Sequence, residues 1–140
     1  MAGRTALVTG GTGAIGREIS QALADAGFRV AANCYPTDVG SAEEWLKSLN
    51  GSGDSIRIIP FDAADYEDSG RGVEEAEKLL GPIDVLVNAA GITRDAVLTK
   101  LEPENWAAVI RTNLDSVYNV TRRVIAGMAE RGFGRVVNIS

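Results

Sequence analysis

A short apolar run that leads directly into clustered glycines constrains this sequence more than any other feature. Residues 5–9 read Thr-Ala-Leu-Val-Thr, which is typical of a buried strand. Gly10, Gly11, Gly13 and Gly16 follow, and a helical pattern begins at once. Backbone N–H groups in such a turn, at the positive end of a helix, make a site for a pyrophosphate. We therefore expect an α/β domain that binds a dinucleotide.

Three of these glycines fit the pattern G-x-G-x-x-G. Gly11, Gly13 and Gly16 lie between a predicted strand and a predicted helix, which is the context that gives this short pattern its value. One glycine permits the tight turn, one lets the backbone approach the phosphates, and one lets the helix pack on the strand. A plain flexible turn is the alternative, and the flanking elements make it the weaker interpretation.

Apolar runs alternate with helical patterns along the whole chain. The predicted strands are Thr5–Thr9, Phe28–Cys34, Ser55–Pro60, Val85–Asn88 and Arg135–Ser140. The predicted helices are Ala14–Ala26, Ser41–Leu49, Asp68–Leu80, Glu102–Ile110 and Asn113–Arg131. The glycines expected to end helices are Gly27, Gly51, Gly81 and Gly132. This alternation predicts one α/β domain over residues 1–140, a doubly wound parallel (Rossmann) sheet of strand order 3-2-1-4-5 that ends after the fifth strand.

Two helices carry apolar faces that predict how they pack. The first has an apolar stripe expected to face the sheet, formed by Ile15, Ile19, Ala22, Leu23 and Ala26. The last has a broader apolar arc, formed by Leu114, Val117, Val120, Val124, Ile125 and Met128. The breadth of that arc predicts burial against the sheet and against a partner subunit.

Composition excludes several classes of function. The net charge of −5, without a basic stripe, argues against nucleic-acid binding. No apolar run approaches the roughly 20 residues that cross a bilayer, and no signal-peptide pattern precedes Thr5. A single cysteine, Cys34, excludes an internal disulfide and a multi-cysteine metal site, which favours the cytoplasm. Because histidine is absent, catalysis must use a hydroxyl, amide, lysine, carboxylate or cofactor.

Polar residues at strand ends are the candidates for a site, since ligands of open α/β sheets bind outside the carboxyl ends of the strands. Asp62 follows the third strand, and an adenine contact is as well favoured there as a helix N-cap or a turn aspartate. Asn88 ends the fourth strand before small residues that would let a flat cofactor approach. Taken singly, Asn113 is a helix cap and Ser140 a strand end.

The end of the second strand bears on the type of dinucleotide. An acidic residue there would bind the ribose 2′-hydroxyl of NAD(H), yet the strand ends Asn33-Cys34-Tyr35. Asp38, beyond Pro36, is a weak substitute. The next cation along the chain is Lys47, so the charges leave the choice open, with a lean towards NADP(H).

With these residues assembled, the chain resembles the short-chain dehydrogenase/reductase family from Thr5 to Ser140. The matching segments, in the order and spacing of the family, are Thr9–Gly16, Asp62, Asn88–Gly91, Thr112–Leu114 and Val137–Ser140. Within the family the chain is most similar to the acetoacetyl-CoA reductases of polyhydroxyalkanoate synthesis. That closer resemblance is carried by Gly91–Asp95, Trp106–Leu114, Asn119–Thr121 and Gly127–Arg135.

The resemblance implies which residues hold the cofactor. The pyrophosphate would lie on the glycine turn, whose members are Gly10, Thr12, Gly13, Ile15 and Gly16. Asp62 and Ala63 would contact the adenine. Asn88, Ala89 and Gly91 would lie at the adenosine ribose.

The resemblance also implies a reaction and an assembly. Asn113 would be the asparagine that holds a water in the proton relay, and Asp95 would lie at the substrate mouth. The expected function is reduction of acetoacetyl-CoA to 3-hydroxybutyryl-CoA with NADP(H), NAD(H) remaining open, in a cytoplasmic homotetramer without a metal, nucleic acid or membrane partner. Reduction of a 3-oxoacyl carrier protein is the alternative within the family. A non-catalytic nucleotide-binding module is the alternative of another class.

The chain departs from the family pattern at three places. Ala14 replaces a glycine of the usual turn, so that the run also fits G-x-x-G-x-x-G of the epimerase-like branch, which the later motifs disfavour. Ala89 replaces a second asparagine. The Tyr-x-x-x-Lys pair is missing, because Tyr35, Tyr66 and Tyr118 are followed four residues later by Val39, Gly70 and Arg122. The catalytic serine is missing as well, because Ser140 matches the first serine of the family's strand end and the catalytic serine would come next. We therefore expect the N-terminal part of a reductase, which by itself is inactive and either poorly soluble or marginally folded.

Overall fold

The computed structural model describes residues 3–49 and 51–140. Its strands are β1 (Thr5–Thr9), β2 (Arg29–Cys34), β3 (Ile56–Pro60), β4 (Ile83–Asn88) and β5 (Arg135–Asn138). Its α-helices are α1 (Ala14–Asp25), α2 (Val39–Ser48), α3 (Tyr66–Leu80), α4 (Pro103–Ile110) and α5 (Ser116–Glu130). A π-helical segment, Arg111–Asp115, joins α4 to α5. Short 3₁₀ turns occur at Pro36–Asp38, Ser52–Ser55 and Leu98–Lys100.

The five strands form one parallel sheet in the order β3-β2-β1-β4-β5, which confirms the predicted topology. β1 is central, with Leu7 opposite Ala31 of β2 and Leu86 of β4. The chain first winds outward through β2 and β3 and then crosses to β4. The carboxyl ends of β1 and β4 therefore border the point where the winding direction reverses, which is where such sheets bind ligands.

Successive side chains along the strands point to opposite faces of the sheet and pack into two separate hydrophobic cores. Leu7 and Leu86 belong to a core that includes Val73 of α3 and Val120 of α5. The neighbouring strand residues, such as Val8, belong to the opposite core, which is covered by Ile19 and Leu23 of α1 and by Trp45 and Leu46 of α2. Because both faces are covered, the inner strands are largely apolar, and their polar residues lie at or next to the strand ends.

The face that α1 turns to the sheet differs from the predicted stripe. Ile19 and Leu23 pack against the core as expected, but Ile15 is 62% exposed, and Ala22 and Ala26 are also exposed. The buried residues of α1 are Gly16, Ser20 and Ala24. The reason is the contact of Gly16 with the glycine turn, which fixes the rotation of the helix and presents small side chains to the sheet.

Glycines end three helices as predicted. Gly27, Gly81 and Gly132 follow α1, α3 and α5 with φ of 88°, 89° and 68°. Gly51, also predicted as a helix end, has φ of 83° and lies three residues beyond α2. Positive φ is the conformation in which a glycine terminates a helix without steric strain.

The predicted helix Asn113–Arg131 is interrupted at its start. The residues up to Asp115 form the π-helical segment, and α5 begins at Ser116. Val120, Val124 and Met128 pack on the sheet as predicted, whereas Leu114 is 60% and Ile125 43% exposed. Across the described residues no helix is both long and apolar enough to span a membrane.

Candidate functional site

A crevice of about 620 Å³ opens at the carboxyl ends of β1 to β4. Its walls come from the glycine turn, from the residues that end β2 and β3, from the segment after β4, and from α4 with the π-helical segment. Representative lining residues are Gly13, Tyr35, Asp62, Ile92 and Thr112. Both the volume and the position are typical of a small-molecule site in an open α/β sheet.

The glycine turn is shaped by close backbone contacts that exclude side chains. Gly10 has φ of 61°, and a Cβ there would lie 2.9 Å from the Cα of Ala90. A Cβ on Gly11 would lie 2.7 Å from the carbonyl oxygen of Val8. A Cβ on Gly16 would overlap the carbonyl oxygen of Gly10. The turn therefore lies flat on the strand ends, and α1 begins directly above it.

The turn residues that the sequence assigned to a pyrophosphate occupy different positions. Gly10, Thr12 and Gly13 line the crevice. Ile15 is exposed in the first turn of α1, and Gly16 is buried in contact with Gly10 and Gly11. The N–H groups of the first turn of an α-helix have no acceptor within the helix, so α1 offers donors beside this wall.

Two polar side chains fasten the carboxyl ends of the inner strands. The hydroxyl oxygen of Thr9 accepts hydrogen bonds from the backbone N–H groups of Ala89 and Ala90, both at 3.1 Å. The amide of Asn88, 4% exposed, donates to Asn138 Oδ1 at 2.9 Å and to Thr121 Oγ1 at 3.2 Å. Asn88 thus lies between β4 and β5, outside the crevice lining, and acts here as a structural tie. Gly91, a further predicted cofactor residue, lines the crevice, and Ala89 packs against one core.

Asp62 makes the contact of a turn aspartate and also lines the crevice, where its contact with an adenine stays a prediction. Its Oδ1 accepts a hydrogen bond of 2.9 Å from the N–H of Ala64, as a turn aspartate does. Its Oδ2 lies 3.5 Å from the guanidinium of Arg111, and the residue lines the crevice beside Ala63. Because Arg111 belongs to the π-helical segment, this ion pair bridges two walls of the crevice.

Asn113 holds the loop after β4 with both atoms of its amide. Its Oδ1 accepts from the N–H of Ile92 at 2.8 Å, and its Nδ2 donates to the carbonyl of Ile92 at 3.0 Å. These bonds fix Gly91 and Ile92 against the π-helical segment. The side chain predicted to take part in a proton relay is therefore seen to position a wall of the crevice, and its relay role stays a prediction.

The loop after Ile92 carries the remaining predicted site residue. Asp95 is exposed there and lies outside the crevice lining, whereas its neighbour Arg94 lines it. Among the described residues, no three potential metal ligands come together.

Two residues at the end of β2 were not assigned a role from sequence. Asn33 is 3% exposed, and its amide makes hydrogen bonds to the glycine turn, to Ile59 of β3 and to Phe61 just beyond that strand. The signal for it was an amide within the apolar run Ala31-Ala32-Asn33-Cys34, because a buried amide requires partners. Cys34 is 2% exposed, and burial together with the nearby Asp38 carboxylate raises the pKa of its thiol.

Comparison with known proteins agrees with this architecture. The family model for short chain dehydrogenases matches residues 4–140. An acetoacetyl-CoA reductase of Allochromatium vinosum is 51% identical over 98% of this chain and 56% of its own length. A 3-oxoacyl-[acyl-carrier-protein] reductase of Haemophilus influenzae is 34% identical over 99% of this chain and 55% of its own.

A solved structure shares the fold closely. The gluconate 5-dehydrogenase of Burkholderia cenocepacia, crystallised with NADP and tartrate, superposes with a TM-score of 0.87 at 36% identity. The match covers 99% of this chain and 53% of that enzyme. The present chain thus spans about half the length of the relatives that it matches.

Proposed function

The chain belongs to the short-chain dehydrogenase family, and from that premise we propose that it forms the cofactor-binding half of a reductase of 3-oxoacyl thioesters. The substrate we propose is acetoacetyl-CoA, reduced to 3-hydroxybutyryl-CoA for polyhydroxyalkanoate synthesis. The observation that carries the proposal is the crevice between the glycine turn and the loop held by Asn113. The similarity to the reductase of Allochromatium vinosum supports the choice of substrate.

The residues of the crevice fit a nicotinamide dinucleotide. The turn at Gly10–Gly13 and the free N–H groups at the start of α1 suit the pyrophosphate. Asp62 and Ala63 would face the adenine, and the small residues Ala90 and Gly91 would permit close approach of the ribose. When bound, the dinucleotide supplies the hydride. The proposed contribution of Asn113 is to hold the Ile92 wall and a relay water beside the reacting carbonyl.

We propose NADP(H) as the preferred cofactor and keep NAD(H) as the alternative. The end of β2 offers a 2′-phosphate no direct repulsion, since Asn33 is committed to backbone contacts and Cys34 is a buried thiol. Tyr35, 53% exposed, is free to contact the adenosine. Asp38, also in the lining, is the group that would oppose a 2′-phosphate.

The proposal extends to the assembly and the compartment. An exposed apolar arc on α5 and the preceding segment, with Leu114, Tyr118 and Ile125, suits a subunit contact in a homotetramer. The cytoplasm, indicated by the lone cysteine, is the proposed location.

Two other functions remain as outcomes of the same test. Reduction of a 3-oxoacyl carrier protein is favoured by the shared stretch Ile92–Asp95 and by the relative in Haemophilus influenzae. A non-catalytic nucleotide-binding module is favoured by the lack of a Tyr-x-x-x-Lys pair within the 140 residues.

An assay with both cofactors and both thioesters tests the proposal. We expect the 140 residues to bind NADPH more tightly than NADH but to turn over neither acetoacetyl-CoA nor its carrier-protein analogue. A protein in which these residues continue into a serine and a Tyr-x-x-x-Lys should reduce acetoacetyl-CoA steadily. Turnover by the 140 residues alone, or failure of both proteins to bind a nucleotide, would contradict the proposal. Preference for the carrier-protein thioester would establish the alternative substrate.

A further inference from the structure

Asn33 is an amide enclosed in an apolar strand at the edge of the crevice. It is the fifth of the six residues of β2 and is 3% exposed. The residues before it, Ala31 and Ala32, and Cys34 after it are also buried. Burial of an amide without partners is strongly unfavourable, so the contacts made by Asn33 explain why the residue is tolerated there.

The oxygen of the amide binds the glycine turn. Asn33 Oδ1 accepts a hydrogen bond of 3.0 Å from the backbone N–H of Gly10. The same glycine accepts a 2.9 Å hydrogen bond from the N–H of Gly13 through its carbonyl. The peptide groups on both sides of Gly10 are thereby fixed, and its φ of 61° aims the turn across the strand ends.

The nitrogen of the amide binds the end of β3. Asn33 Nδ2 lies 2.9 Å from the carbonyl oxygen of Phe61 and 3.3 Å from that of Ile59. The strand ladder ends at the pair Cys34 and Pro60, so Phe61 lies just beyond it. Asp62 follows directly, so the peptide group between Phe61 and Asp62 is held by Asn33 at its carbonyl and by Asp68 at its N–H.

One side chain therefore connects the two walls between which a dinucleotide would extend. We propose that Asn33 is a positioning residue that fixes the glycine turn and the Phe61–Asp62 wall at the separation required by a pyrophosphate and an adenine. This inference rests on the proposed function, since it assumes a dinucleotide in the crevice. Asn33 need not touch the ligand; it acts through Gly10 and Phe61.

The geometry explains why position 33 holds an asparagine and not another residue of similar size. Aspartate could accept from Gly10, but its second oxygen would face the carbonyl groups of Phe61, Cys34 and Ile59. Leucine could serve neither partner. Only a side chain with an acceptor and a donor on one planar group makes both contacts.

Thr5 offers a matched control at the other end of the same sheet. Its hydroxyl donates a buried hydrogen bond of 2.8 Å to the carbonyl of Leu80, and the residue is 0% exposed. It lies at the amino end of β1, away from the crevice. Thr5→Val removes one buried hydrogen bond at nearly constant volume and reports what a loss of stability alone does to binding.

The experiment compares the unsubstituted protein with Asn33→Ala and Thr5→Val. Affinity for NADPH and NADH is measured by titration, and exchange of the Gly10 amide hydrogen is followed by NMR without nucleotide. We expect Asn33→Ala to weaken nucleotide binding about tenfold and to speed exchange of the Gly10 amide about tenfold or more. In the longer protein that carries the serine and the Tyr-x-x-x-Lys pair, Asn33→Ala should raise the KM for the cofactor and leave kcat at saturating cofactor unchanged. Thr5→Val should leave all these quantities within about twofold.

Each outcome decides between the inference and its alternatives. Equal nucleotide affinity in the two variants would overturn the positioning role. If Asn33→Ala does not fold, the unsubstituted protein still tests the inference, because a Gly10 amide that exchanges as fast as a solvent-exposed loop amide would contradict the tether. Failure of both the unsubstituted 140 residues and the longer protein with the Tyr-x-x-x-Lys pair to bind either nucleotide, together with a protected Gly10 amide, would refute the proposed function and leave the tether as a purely structural contact.

Discussion

At Gly16, the difference between a hydrogen and a methyl group decides whether α1 can approach the sheet. A Cβ there would overlap the carbonyl oxygen of Gly10, and it would also lie 2.8 Å from the Cα of Gly11. The neighbours are backbone atoms, which cannot move aside as a flexible side chain would. The residue therefore contributes to the site through packing, beneath the surface that a ligand would touch.

Gly16→Ala should consequently lower both stability and affinity for a nucleotide. We expect the free energy of unfolding to fall by about 3 kcal/mol, because the added methyl overpacks a backbone contact. Gly40→Ala is the control, since a Cβ on Gly40 meets nothing within 4 Å and α2 should gain roughly 0.5 kcal/mol in helix propensity. Denaturant unfolding and a nucleotide titration of both variants check this; equal stability of the two would show that the turn can relax.

At the scale of single elements, the start of α3 is coupled to the crevice through a carboxylate. Asp68 Oδ2 accepts a 2.7 Å hydrogen bond from the N–H of Asp62, and Oδ1 accepts one of 2.8 Å from Arg71 Nε. Burial alone would raise the pKa of Asp68. The backbone hydrogen bond and the Arg71 guanidinium outweigh burial, so the pKa lies below its ordinary value of 3.8.

The lowered pKa of Asp68 makes a prediction about acid stability. A carboxyl with a depressed pKa in the folded state stabilises the fold above its ordinary pKa, and the contribution is lost as the pH falls through the folded value. Asp68→Asn should therefore cost about 1 kcal/mol at neutral pH, and the deficit should shrink below about pH 4. Glu67→Gln, the same charge change on an 88% exposed side chain, should have a smaller effect at either pH. Urea unfolding at pH 7 and pH 3 checks this, and a deficit for Asp68→Asn that does not change with pH would contradict it.

The elements differ in how far the sequence could define them. β1 was predictable to the residue because its apolar run stops at a glycine, and the positive-φ glycines marked the ends of α1, α3 and α5. The exposed side of α1 was not predictable from periodicity, because a long-range contact of Gly16 outweighs the burial of Ile15. The π-helical segment was missed for a similar reason, since it is tied to Ile92 by Asn113, 21 residues away.

The features of the candidate site that depend on backbone conformation were predictable from the sequence. The hydrogen-bond partners of its buried side chains were not. The glycine turn and the sheet edge followed from sequence. Asn88 and Asn33 are both buried amides at strand ends, yet Asn88 ties β4 to β5 and Asn33 ties the glycine turn to β3. Local sequence does not define these partners, because they belong to strands that are distant along the chain.

At the scale of the whole molecule, several exposed apolar side chains lie on neighbouring elements at one side of the described structure. Along α4, the π-helical segment, α5 and β5, the exposed members are Trp106, Leu114, Tyr118, Ile125, Val136 and Val137. Part of this surface forms a groove of about 630 Å³ beside Tyr66. Apolar surface of this extent on a small domain favours association with other surfaces.

The uncovered surface predicts self-association of the 140 residues. We expect a concentration-dependent mass in light scattering, and the double variant Leu114→Lys, Ile125→Glu should shift the chain towards monomer. Leu79→Glu is the control, because Leu79 is 56% exposed on α3, outside that surface. A monodisperse monomer with a sharp, cooperative thermal transition before any substitution would contradict this prediction.

The π-helical segment limits where the sequence can lose or gain a residue without disturbing the fold. A π turn holds an extra residue relative to an α-helix, so deletion of one residue from Arg111–Asp115 could leave a continuous α-helix. Each residue of an α-helix accounts for about 100° of rotation. Such a deletion would turn Val120 and Val124 away from their core, or else turn Asn113 away from Ile92. We therefore expect homologous chains to keep the same number of residues in the segment Arg111–Asp115, even where the side chains in that segment differ.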